Sequence, residues 1–205
     1  MKSSILFILA LALCTACTAD TTTEEGTANL TPQTGETAQQ PAPEDNVISY
    51  EQQLSAGSMN FYVVTTGTGT NRNLAIQVER EGQQPSRIDE PIEGTVTGSV
   101  TTDLNENTKP ELLVFVAGGG SGSYGKVYGY EFEREYWGEL SMPDLAPALQ
   151  EGYRGHDEFK VQNNRLLRTF PVYHEADPNC CPTGGTRTIV YSLDDALTLQ
   201  AEQVL

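Results

Sequence analysis

The stretch on which the reading of this chain turns is LLVFVAGGGSGSYGKVYGY, residues 112–130. It opens on an unbroken apolar run. Extended by one residue at its start, ELLVFVAG (111–118) has the length of a strand and no polar alternation, which predicts a central strand buried on both faces. Five of the eight residues from Gly118 to Gly125 are glycine. From Lys126 the pattern changes to period two. Val127, Gly129, Glu131 and Glu133 fall on one face of KVYGYEFERE, and Tyr128, Tyr130 and Phe132 on the other. The glycines are therefore expected at the tip of a hairpin between two strands. They cost conformational entropy and contribute no packing. A tip built this way meets a need for thin, backbone-rich chain that presents Ser121, Ser123 and Tyr124.

Outward from this hairpin the chain continues as short strands and turns. NFYVVTTG (60–67), NLAIQVERE (73–81) and GTVTGSVTTDL (94–104) are rich in β-branched residues and end in Gly, Asn or Asp. FKVQNNRLLRTFPVY (159–173) reads as a hairpin turning at Asn163-Asn164, and TRTIVYSL (186–193) as a last strand. MPDLAPALQEGY (142–153) is the one helical candidate, starting near Pro143-Asp144. About eight strands with no βαβ alternation predict an all-β antiparallel sandwich or flattened barrel with at most one short helix.

Several chemistries fail on the residues themselves. Gly120, Gly125 and Lys126 nearly spell a phosphate loop, but Val127 stands where Ser or Thr must hold Mg²⁺, and a strand follows where a helix is needed. Gly119-Gly120-Ser121-Gly122-Ser123 lacks the last glycine of a hydrolase elbow. The two histidines, His156 and His174, are expected on surface loops rather than in a triad. No enzymatic activity and no cofactor are expected. In DLNENTKPE, Asp103, Asn105, Asn107 and Glu111 fall at odd spacings like a calcium loop. Thr108 replaces the turn glycine and Val114 the bidentate glutamate, so a polar turn is expected and no metal. Cys180 and Cys181 are adjacent, which is not zinc-ligand spacing even with His174 nearby. A bond between them or two free thiols remain.

The N-terminal part is of a different character. Lys2, the apolar ILFILALAL (5–13) and Ala16 before Cys17 resemble the signal and lipidation box of bacterial lipoproteins, with Cys14 where a leucine usually stands. Residues 1–16 are expected to be that signal and Cys17 the lipidated residue, which anchors the chain to the cell envelope, in the periplasm or at the outer membrane. Residues 17–46 are rich in Thr, Gln, Pro and Glu, with almost nothing to bury, and are expected to be a disordered tether. Residues 47–205 form the expected single domain. Six acids and one base precede Val47, so this domain carries 22 acids against 11 bases and a formal charge of −11. Such a surface repels nucleic acid and suits a cationic protein partner.

GGGSGSYG after an apolar strand, with DLNENTKPELLVFV before it and PTGGTRTIVYSL (182–193) after it, resembles the periplasmic inhibitors of invertebrate-type lysozyme. That family carries an S-G-x-Y motif, here Ser121-Gly122-Ser123-Tyr124. The resemblance spans most of residues 58–193. It implies a β-rich, non-enzymatic protein that protects peptidoglycan by inserting this loop into the active-site cleft of a lysozyme, a cationic glycoside hydrolase. Ser121 and Tyr124 would form the inhibitory pair, Gly122 the spacer and Ser123 the variable position. Lys126 and Arg187 are candidate secondary contacts. The alternative is a non-catalytic calcium- or glycan-binding envelope module.

Overall fold

The structure is a computed structural model and describes residues 46–134 and 136–205. The expected signal peptide, the expected lipidation site Cys17 and the expected tether up to residue 45 lie outside the described residues. Those described fall within one compact unit. Period-two patterning groups them into three consecutive meanders of four strands. The first sheet is β1 (Ile48–Ala56), β2 (Met59–Thr66), β3 (Asn71–Arg80) and β4 (Ser86–Glu93). The second is β5 (Thr95–Thr102), β6 (Glu111–Ala117), β7 (Gly125–Glu133) and β8 (Tyr136–Glu139). The third is β9 (Glu158–Gln162), β10 (Arg165–Pro171), β11 (Thr186–Leu193) and β12 (Leu199–Val204). Every strand pairs antiparallel with its sequence neighbour within its sheet. None of the three sheets closes into a barrel.

The continuous apolar run is the keystone of this arrangement. Leu112, Val114 and Val116 of β6 join Tyr130 and Phe132 of β7 in a core built with Phe61, Val63, Leu74, Ile76 and Ile88 of the first sheet. Leu113 and Phe115 point the other way, into a second core with Leu166, Phe170, Ile189, Tyr191 and Leu199 of the third sheet. The middle sheet is thus covered on both faces, and β6 has no face left for alternation. A sandwich of two layers becomes one of three. Each of these side chains contributes roughly 1.5–3 kcal/mol by leaving water.

Among the described residues twelve strands are found where about eight were expected. The four not foreseen, β1, β4, β8 and β12, are all edge strands. One side of an edge strand meets solvent, so polar residues, charges and proline are tolerated there, as in SRIDEPIE of β4. The Asn163-Asn164 hairpin forms as expected, with both residues at left-handed φ of 50° and 52°. The helix expected over 142–153 shrinks to α1 (Pro147–Gln150). Pro147 disfavours helical backbone at Ala146, which is extended at ψ 147°. Gly152, at φ 72°, then turns the chain away.

Candidate functional site

The glycine-rich segment joins β6 to β7, as the hairpin pattern requires. Its tip is shorter than the glycine run. The ladder continues one step past the strands, where Gly118 N–H donates to Tyr124 C=O at 3.0 Å. Ser123 N–H closes a turn on Gly120 C=O at 2.9 Å, with Ser123 itself at φ 43°. Residues 119–123 project. Ser121 is exposed, Gly122 and Ser123 are half-buried, and Tyr124 is 54% exposed despite its size. Lys126 lies within strand β7, where a phosphate loop would pass into a helix.

A second loop, residues 152–157, buttresses the tip. His156 N–H donates to Gly122 C=O at 2.6 Å. The approach is so close that a Cβ on Gly155, whose φ is 89°, would fall on the Gly122 carbonyl. A Cβ on Gly122 would in turn meet the Arg154 carbonyl oxygen at 2.8 Å and the Tyr124 ring at 2.6 Å. Both glycines are required by contact. The Tyr124 ring stands edge-on to Tyr153 at 5.5 Å, and Tyr153 edge-on to Phe170 at 4.7 Å. A column of rings therefore runs from the exposed tip into the second core.

Asp157 anchors the underside. Its Oδ2 accepts from Gly125 N–H at 2.7 Å and from the Tyr153 hydroxyl at 2.6 Å, while its Oδ1 accepts from Arg168 Nε at 2.7 Å. Arg168 Nη2 also donates to the Tyr153 hydroxyl at 2.7 Å. The Arg168 and Asp157 side chains are only 8% and 0% exposed. Burial works against the charge on Arg168, yet the bond and charge of Asp157 outweigh it and hold the guanidinium above its ordinary pKa. Burial, then the bond to Asp157, raises the Tyr153 phenol well above its ordinary value. Tyr153 is thus a fixed donor, and the start of β7 is held rigidly.

A third loop completes the surface. Arg154 donates to the carbonyls of Asp177 at 2.9 Å and His174 at 3.3 Å, and lies 4.8 Å over the Tyr173 ring. Asp177 in turn accepts from the N–H groups of His174 and Thr183, which hold its carboxyl below the ordinary range. Cys180 and Cys181 are bonded to each other within this loop. Ser121, Tyr124, Arg154, His156 and Asn179 line a small cleft of about 140 Å³ between the loops. On the other side of Tyr124 a wider cleft of about 750 Å³ is lined by Lys126, Tyr128, Glu139, Asp144 and Tyr153.

Of the residues singled out in the sequence, Ser121, Gly122, Ser123, Tyr124 and Lys126 are together at one end of the middle sheet. Arg187 is engaged within the chain. Its Nη1 donates to the carbonyls of Leu149 and Glu151 at 2.8 and 3.0 Å, and its guanidinium lies 5.9 Å from the centre of the Phe170 ring. It closes the end of α1. Among the described residues neither Ser121 nor Ser123 has its hydroxyl bonded to a histidine or a carboxylate, and His174 Nδ1 is shared with Thr183 Oγ1 at 2.9 Å. Asp103, Asn105 and Asn107 accept backbone N–H bonds within the turn between β5 and β6. Among the described residues no three of His, Cys, Asp and Glu gather to hold a metal.

The residues that sequence reasoning missed are Tyr153, Arg154, Gly155 and Asp157, which hold the tip, together with Arg168 beneath. The available signal was GYRGHD (152–157), two glycines bracketing an aromatic and a cation in a segment with no strand pattern. Nothing local ties it to Gly122. No family model matches this chain, and no curated protein or solved structure matches it.

Proposed function

We propose that this protein is an exported, lipid-anchored inhibitor of a lysozyme of the invertebrate type, which blocks the enzyme by placing the Ser121-Gly122-Ser123-Tyr124 tip in its active-site cleft. The observation that carries this reading is the combination of exposure and fixation. Tyr124 stands 54% exposed at the tip, while the Gly122 carbonyl is held by His156 N–H at 2.6 Å. A loop ordered before binding loses less entropy on entering a cleft.

Retaining glycosidases hold two carboxylates about 5 Å apart, one protonated and one ionised. Ser121 Oγ can donate to the ionised one, and the Tyr124 hydroxyl can donate or accept. Each such charge-assisted bond contributes roughly 1.5–3 kcal/mol. The thin glycine backbone passes where a sugar would lie. Lys126 is exposed beside the tip and Arg154 lines the small cleft next to it, so cations flank a surface meant for carboxylates. The domain as a whole carries −11, which draws in a cationic enzyme at a salt-sensitive rate. A lipid on Cys17 and the polar segment after it would keep the inhibitor at the envelope, beside the peptidoglycan it protects.

The alternative is a glycan-binding module, and the 750 Å³ cleft with Tyr124, Tyr128 and Tyr153 on its walls is the feature that favours it. Competition separates the two. Under the inhibitor reading, lysozyme already filled with an N-acetylglucosamine oligosaccharide binds the full chain more weakly, and the chain alone does not retain that oligosaccharide. Retention by the chain alone, with no inhibition of any lysozyme in a panel of types, would favour the glycan module.

A further inference from the structure

The turn between β5 and β6, residues 103–110, carries one feature that a polar turn does not account for. Glu111, at its end, is 0% exposed. Its Oε2 accepts from Leu104 N–H at 2.7 Å, and its Oε1 is buried with no hydrogen-bond partner among the described residues. An uncompensated carboxylate oxygen is costly to keep away from water. The charges that bear on Glu111 make this worse, because Asp103 and Glu131 are both acidic. Lys109 sits 2.7 Å from Glu133 and 3.8 Å from Glu131, and among the described residues no ion pair joins it to Glu111.

The rest of the turn presents oxygen to the same interior. Asp103 wraps the chain by accepting from the N–H groups of Asn107 and Thr108, each at 3.0 Å. Thr108 takes up a left-handed φ of 70°, the conformation that glycine normally supplies at the sixth position of a calcium loop. The amide nitrogens of Asn105 and Asn107 both donate to Glu131 Oε2, at 3.1 and 2.7 Å. Both amide oxygens therefore face the turn, where they accept from Asn107 and Lys109 N–H at 3.3 and 2.8 Å and retain a second lone pair. We propose that this turn binds a divalent cation of the calcium class through Asp103, Asn105, Asn107 and Glu111, with Glu131 orienting the two amides. The ligands are two carboxylates and two amide oxygens, a hard all-oxygen set without the rigid octahedron that Mg²⁺ demands. With Thr108 in place of glycine and Val114 in place of the bidentate glutamate, the affinity is that of weak extracellular modules, on the order of 10⁻⁴–10⁻³ M. The inference stands independently of lysozyme inhibition.

The full chain, stripped with a chelator, is titrated with CaCl₂ or MgCl₂ while thermal unfolding is followed. At about 10 mM Ca²⁺ the midpoint should rise by about 3–10 °C, and by much less with Mg²⁺. Asp103→Ala and Glu111→Gln should lose the rise. Lys109→Gln leaves every ligand in place and removes a positive charge 3.8 Å from Glu131; it should lower the half-saturating Ca²⁺ by about threefold, a gain that does not depend on how well the other variants fold. No calcium effect in either the wild type or Lys109→Gln overturns the proposal, as does an equal effect of Ca²⁺ in Asp103→Ala.

Discussion

The backbone N–H of His156 donates to the carbonyl of Gly122 across 2.6 Å, tying the loop before β9 to the tip between β6 and β7. The exposed tip is thereby made part of the scaffold. Ser121 and Tyr124 are presented in one geometry, and their ordering is accomplished in folding rather than in binding.

That bond can be broken without substituting any residue of the tip. Gly155→Ala would drive a Cβ onto the Gly122 carbonyl at a φ of 89°. The cost to stability should be about 1–3 kcal/mol. Inhibition at a temperature where the variant is fully folded should weaken by more than tenfold. Calorimetry and a lysozyme assay on the same sample check both. Full inhibition by the folded variant would mean that the tip orders itself on binding.

Tyr124 combines a ring anchored on Tyr153 with a hydroxyl that makes no hydrogen bond among the described residues, on a side chain that is half exposed. Tyr124→Phe keeps the first and removes the second, and should weaken inhibition by about 10–100-fold, the worth of one charge-assisted hydrogen bond. Tyr124→Ala should be worse still. Neither should shift the unfolding midpoint much, since the side chain is half exposed. Equal inhibition by Tyr124→Phe and the wild type would remove the hydroxyl from the mechanism.

Asp157 compensates Arg168 at a site where their side chains are 0% and 8% exposed. Asp157→Ala leaves that guanidinium buried without a counter-charge and should cost about 3–5 kcal/mol. Denaturant unfolding measures it. A loss below about 1 kcal/mol would show that solvent reaches the pair and that it does not anchor the tip.

Glu111 gives a pH signature when divalent cations are chelated. Its folded value of about 7 lies above the ordinary 4.5, through burial and the neighbouring Asp103 and Glu131. The folded state therefore prefers the protonated form. That preference contributes stability fully below pH 4.5 and loses it as pH rises through 7, a decline of up to about 3 kcal/mol. Glu111→Gln should flatten the decline measured by thermal unfolding between these limits. An unchanged slope in the variant would assign the pH dependence elsewhere.

What was legible in the sequence and what was not divides along physical lines. β6 could be read as central because burial on both faces erases alternation, and Asn163-Asn164 as a turn because both residues tolerate left-handed backbone. The edge strands were not legible, because a strand with one side in water tolerates the polarity of a loop, as β1 and β4 do. The tip announced itself through its glycines. Its support did not. Asp157 and Arg168 look like surface charges in sequence, and only the pairing of β9 with β10 and the packing of the third sheet beneath β7 bring them to Gly125 and Tyr153. Glu111 read as one more acid of a polar turn, because nothing local in the sequence marks its carboxyl as buried.

The central claim is tested most directly by titrating an invertebrate-type lysozyme with the full chain and following cell-wall lysis. The account predicts saturable, near-stoichiometric inhibition by the wild type. It also predicts a loss of at least about a hundredfold in the Ser121→Ala, Tyr124→Ala double variant, measured at a temperature where that variant is fully folded. Undiminished inhibition by the double variant, or no inhibition by the wild type of any lysozyme type, would contradict it.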